Sequence, residues 1–123
     1  MDTHVLLWSL LEPERLSPPA HELLVNPDHE VLASVASLWE IAVKKRVGKL
    51  QAELSLVIEG IAAQGFTRLG LENAHLLALL GLPFHHRDPF DHLLIAQAIS
   101  EKAAFVTHDK AAARYPVQVI AAG

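Results

Sequence analysis

The stretch from His85 to Ala98, HHRDPFDHLLIAQA, limits what this chain can fold into more than any other. Pro89 suits the first turn of a helix, where its missing N–H costs nothing. Behind it, Phe90, Leu93, Leu94, Ile95, Ala98 and Ile99 leave no broad polar stripe. Such a helix is buried on more than one side, so other layers must pack around it. Yet Asp88 and Asp91 stand at its mouth, and a carboxylate there is costly unless something positive meets it.

A chain of 123 residues makes one domain, able to bury roughly two-thirds of its unfolded surface. Hydrophobic residues supply 51% and are spread evenly, which excludes a disordered chain. No apolar run approaches the ~20 residues a membrane span needs. The first residues show no basic stretch followed by a cleavage pattern, so no secretory leader is expected. Cysteine is absent, which excludes disulfides and thiolate metal sites and fits a cytoplasmic protein. The net charge of −4 does not advertise a nucleic-acid binder, which usually carries a basic surplus.

In chain order, Thr3 is a plausible N-cap for a helix His4–Leu11, which Pro13 ends. Ser17 followed by Pro18 and Pro19 starts a second helix to about Val25. Asn26-Pro27-Asp28 is a turn, and Glu30–Ser34 is short enough for a strand. Ser34 or Ser37 caps the next helix, which runs to about Val47 with Gly48 at its C′ position. Lys44, Lys45 and Arg46 fall in its last turn, where the helix dipole favours cations. Glu53–Gln64 reads as an amphipathic helix closed by Gly65, Phe66–Leu69 as a strand, and Glu72–Leu80 as a helix. The helix behind Pro89 runs to about Ala103. Ala104–Thr107 is a strand, Lys110–Arg114 a short helix, and Val117–Ile120 the final strand. Strands alternating with helices predict an α/β fold with a mostly parallel sheet covered on both faces. Ligands of such sheets bind beyond the carboxyl ends of the strands, which points at Asp109.

Four acids sit in surroundings wrong for an ordinary surface charge. Asp2 precedes an apolar helix, Glu40 lies inside ASLWEIAV, Asp91 enters the buried helix, and Asp109 ends the strand AFVT. Carboxylates brought together repel and drive one another towards protonation. A divalent cation removes the conflict, and an oxygen-only donor set suits Mg²⁺ or Mn²⁺. Each acid also has a plain structural reading. Glu40 and Lys44 form a favourable i,i+4 pair. Asp109 can cap the helix that follows it, Asp88 can cap the Pro89 helix and pair with Arg87, and Asp91 can be a charge favoured at a positive helix end. On residues alone, the chain is an α/β domain with a possible acidic metal site. Trp8 and Trp39 are read as core. His4, His85, His86, His92 and His108 flank the acids and are read as hydrogen-bonded structural groups rather than ligands.

MDTHVLLWSL, ASLWEIAVKKRVGKL, HHRDPFDHLLIAQA and FVTHDK, in this order, resemble PIN-domain proteins, and most closely the VapC-type toxins of bacterial toxin–antitoxin pairs. The resemblance spans essentially the whole chain. It implies a three-layer α/β/α fold around a central parallel sheet, and a Mg²⁺- or Mn²⁺-dependent ribonuclease neutralised by a small antitoxin. By motif position the acids of that site are Asp2, Glu40, Asp91 and Asp109. Asp2, Asp91 and Asp109 would hold the metal, with Glu40 positioning water. Thr107 would orient the site through its hydroxyl, and Asp88 would support it. Substrate phosphates would meet Lys44, Lys45, Arg46, Lys49, Arg87 and Lys110, whose plain reading is a solvated face. RNA (tRNA included), an antitoxin and a second copy of the chain are the implied partners. The net charge is no obstacle, because the four site acids supply as much and a bound divalent ion offsets half of it.

The chain departs from the pattern in one place. PIN-domain proteins usually carry several apolar residues ahead of the D-T-H block, which form a central first strand. Only Met1 precedes Asp2 here. The expectation is therefore a truncated first strand, an Asp2 that frays beside a charged amine, and a longer native product. Two other readings stay open: a PIN-fold binding module without turnover, and an aspartate-nucleophile phosphohydrolase. The second would want an aspartate where His4 stands.

Overall fold

The caps set the frame. In the computed structural model, which describes residues 1–84 and 88–123, every α-helix start except that of the fourth helix, which follows Glu53, is fixed by a local side chain or a proline. The readings placed on His85, His86 and Arg87 lie outside the described residues. Helix α1 (Thr3–Leu11) is capped by Asp2 rather than Thr3: the Asp2 carboxylate accepts the Val5 N–H at 2.8 Å. Ser17 caps α2 (Pro18–Val25), and Ser34, not Ser37, caps α3 (Val35–Arg46). Helix α4 (Leu54–Ala63) and helix α5 (Asn73–Leu80) follow, and Asp88 caps α6 (Pro89–Ser100). After α3 and α4 the chain reverses at Gly48 and Gly65, with φ of 74° and 73°, where a side chain would be strained. Lys110–Arg114 is a 3-10 turn rather than an α-helix.

The strands are shorter than the sequence reading: β1 (Leu32–Ser34), β2 (Thr67–Leu69), β3 (Phe105–Thr107) and β4 (Val119–Ala121). All pairing among the described residues is parallel, as expected, with Leu32 opposite Thr67 and Phe105 opposite Val119. Instead of one continuous sheet there are two pairs, β1–β2 and β3–β4. A cavity of about 390 Å³ lies between them, lined by Leu32, Val106 and Ile120 of the strands and by Leu24, Leu94 and Ala98 of the helices.

Strand alternation sends neighbouring residues to opposite faces. Phe105 packs with Leu94, Ile95 and Ala98 of α6, while Val106 packs with Val5 of α1 and Leu24 of α2. Ala33 joins Leu6, Ile41, Val57 and Ile61 in a third cluster. Helices therefore cover both faces of the strands, and the fold is α/β. As its sequence demands, α6 is buried without interruption from His92 to Ala98.

A polar network locks α6 to the rest. Gln97 accepts from the Ser34 hydroxyl, and its amide donates to the Gly70 carbonyl and His75 Nδ1, both at 3.2 Å. The Glu72 N–H also donates to Nδ1, so Nε2 keeps the proton and donates to Glu101 at 3.0 Å. His75 and Gln97 are fully buried, and such a network tolerates burial only when every member is satisfied.

Candidate active site

Asp2 is among the most firmly held residues in the chain. Its N–H donates to the Val106 carbonyl at 2.9 Å, continuing the backbone alongside β3. One carboxylate oxygen caps α1, and the other accepts from the Thr107 hydroxyl and the His108 N–H. The expected fraying is thus corrected, because hydrogen bonds hold both the Asp2 carboxylate and its backbone. Burial pushes the Met1 ammonium down to about 6, against a smaller opposing pull from Asp2.

Thr107 ends β3 facing inward and also accepts the Asp109 N–H at 3.0 Å. One hydroxyl thereby ties Asp2 to the turn carrying Asp109. Asp109 itself caps the 3-10 turn through the Ala111 N–H at 2.9 Å. Helix α3 turns Ser37 and Glu40 inward along with Ala36 and Ile41. Glu40 accepts from the Thr3 hydroxyl at 2.5 Å and from Lys44 at 2.5 Å. The i,i+4 pair therefore exists, but on a face where Glu40 is only 2% exposed. Burial alone would pull the Lys44 ammonium down. Its hydrogen bond to Glu40, with the charges of Glu40, Asp88 and Asp91, wins and leaves it raised.

The capping reading of Asp88 holds, since its carboxylate accepts the N–H groups of Phe90 at 2.9 Å and Asp91 at 3.3 Å. Asp91, a turn further in, makes no side-chain hydrogen bond among the described residues. Burial first, and then the negative charges of Asp88, Asp2, Glu40 and Asp109, push its carboxyl up to about 7.

These residues meet in one cleft of about 180 Å³ lined by Asp2, Thr3, His4, Glu40, Asp88, Asp91, His108 and Asp109. It opens beyond the carboxyl ends of β1 and β3, where the α/β rule places a ligand. The larger cavity between the strand pairs holds none of these acids. Among the described residues no three His, Asp or Glu side chains already close on one point as a metal cage. The donor set nonetheless fits a small hard cation. All its donors are oxygens, their repulsion is unrelieved at Asp91, and an ion such as Mg²⁺ keeps several waters rather than demanding a full protein cage.

Of the basic residues, Lys44 is spent on Glu40 and Lys45 reaches Glu53 at 2.9 Å. Arg46, Lys49 and Lys110 make no ion pair among the described residues. His108 contacts Asp2, and His92 lies buried between the rings of Phe84 and Tyr115. Trp8 packs on the cluster of α1 and α2, as read, but Trp39 is 57% exposed, which corrects its placement in the core. The sequence reading missed the roles of Thr3 and Ser37, whose hydroxyls are hydrogen-bonded at 3.1 Å. The signal available was spacing: Ser37 stands one helical turn before Glu40.

An α/β domain with parallel strands and an acidic cleft at their carboxyl ends is the class defined by this architecture. The PIN domain family matches residues 1–118, and the chain belongs to that family. PIN domains are usually metal-dependent nucleases. Comparison with the curated proteins finds no match.

Proposed function

We propose that the protein is a Mg²⁺- or Mn²⁺-dependent endoribonuclease, hydrolysing RNA phosphodiesters in the cytoplasm as the toxin of a toxin–antitoxin pair. The observation that carries the reading is the convergence of five carboxylates on one small cleft, with Asp91 pushed up to about 7 by burial and by the others. Asp2, Asp91 and Asp109 would hold the cation, directly or through water. When bound, a divalent ion supplies the charge that activates water against a phosphodiester and steadies the leaving oxygen. Glu40 orients the attacking water through the lone pairs left after its bonds to Thr3 and Lys44. Thr107 keeps Asp2 turned towards the cleft, and Asp88 holds the start of α6 in place. Phosphate contact falls to Arg46, Lys49 and Lys110, with Lys44, Lys45 and Arg87 completing the basic set.

The toxin role, the antitoxin and a homodimer rest on the likeness to VapC-type sequences. The exposed Leu76, Leu77 and Leu80 of α5 and Phe84 beyond it offer such a partner an apolar face. Among the described residues no helix is long and apolar enough to cross a membrane.

The test is cleavage of RNA by purified protein. Activity should vanish in EDTA, return with Mg²⁺ or Mn²⁺, and be lost in Asp91→Asn; equal cutting in EDTA would sink the assignment. One observation favours a second reading, a module that binds without turnover. Asp2, Glu40 and Asp109 already commit oxygens to caps and hydroxyls. Calorimetric titration separates the two, because that module takes up no Mg²⁺.

A further inference from the structure

Helix α3 is built against its own hydrophobic pattern. Its inward face carries Ser37 and Glu40, while Trp39 faces out at 57% exposed. The indole is not alone there. Phe90 meets it edge-on, with ring centroids 4.8 Å apart and planes at 67°. The two rings come from different helices, and each immediately precedes an acid of the cleft, Glu40 on α3 and Asp91 on α6. They form an aromatic step beside the cleft, braced on one side and open to solvent on the other.

We propose that this step is a nucleobase platform: the open Trp39 indole, held by Phe90, stacks an unpaired base of the RNA strand whose phosphodiester enters the cleft. The proposal rests on the nuclease reading. Every base offers a π-face, so stacking on an indole holds a single strand with little regard to sequence. The charges nearby fit that occupant. Arg46 in the last turn of α3 and Lys49 just beyond make no ion pair among the described residues and are suited to phosphates beside a stacked base, whereas Lys44 and Lys45 are paired with Glu40 and Glu53. The competing occupant is an apolar face of a partner protein, for which Val43 and Val47 extend the exposed stripe. Arg46, which stands between those valines in the chain and makes no ion pair among the described residues, favours the nucleic acid. A base clamped here also fixes the register of the strand, placing one backbone linkage at the acids.

The experiment measures binding of a short single-stranded oligoribonucleotide and of its abasic counterpart by fluorescence anisotropy. It uses the full chain carrying Asp91→Asn so that neither strand is cut. Adding Trp39→Ala should weaken the base-bearing strand by roughly 5- to 100-fold and leave the abasic strand unchanged. Trp39→Phe should keep most of the affinity. Far-UV dichroism and thermal midpoint should not move, because the side chain is largely outside the core. If Trp39→Ala weakens neither strand, as a protein-docking face would predict, or both strands equally, the platform is refuted. Metal-dependent cleavage with an unchanged KM in Trp39→Ala of the otherwise unaltered protein refutes the platform and leaves the nuclease reading standing. Failure of the parent protein to bind or cut any strand overturns both.

Discussion

Replacing Asp91 by Asn should make the metal-free protein more stable while abolishing its activity. Burial and four neighbouring acids raise the Asp91 carboxyl from 3.8 to about 7. The folded protein therefore holds a proton that the unfolded chain releases between those values, and stability falls as pH rises through that window. Above about 7 the destabilisation is complete. At 1.36 kcal/mol per pH unit a fully buried group would cost ~4 kcal/mol. Asp91 is only partly buried, and solvent screening brings this to ~2 kcal/mol. Asparagine has the same shape and no charge, so it recovers that amount at pH 8 and almost none near pH 4. For a chain of this size the gain is ~5–10 °C in midpoint. Thermal unfolding of both proteins in EDTA at stepped pH should show a difference that grows from about pH 4 to 7 and then stays level. Saturating Mg²⁺ should stabilise the parent and leave the Asn variant unmoved. A difference independent of pH, or an Asn variant less stable at pH 8, would refute the electrostatic account of the cleft.

Two further substitutions probe the supports. Thr107→Val removes the hydroxyl that joins Asp2 to the Asp109 turn; cleavage should drop ~10- to 100-fold in initial-rate assays, with Mg²⁺ affinity falling in parallel. Asp88→Ala should cost ~1 kcal/mol of stability through loss of the α6 cap, and Asp88→Ser should restore most of it in a denaturation midpoint.

What the sequence made legible was local. Ser17, Ser34, Asp88, Gly48 and Gly65 act within a few residues of themselves, and each sits where a cap or a reversal was expected. The N-cap of α1 lies one residue before the expected Thr3 because Asp2 and Thr3 are both good caps, and the choice is made by distant groups. Thr107 and His108 hold Asp2 in the capping pose, while Glu40 takes the Thr3 hydroxyl. Trp39 departs from its expected place in the core because a hydrophobic side chain signals burial only where its helix face is covered. In α3 the buried positions are Ala36, Ser37, Glu40 and Ile41, a helical face whose polar members are paid for by the site they build. The separation of the strands into two pairs, and the His75–Gln97 network, depend on partners far along the chain and left no local mark.

The bond between Thr107 and Asp2 joins residues 105 positions apart. During synthesis Asp2 emerges first, and the turn bearing Asp109 is made only after β3. A nascent chain that has not reached Asp109 therefore exposes single acids in succession but not the assembled cleft. If the cleft cuts RNA, a ribosome making this protein is shielded from it by chain topology until the turn bearing Asp109 has been made.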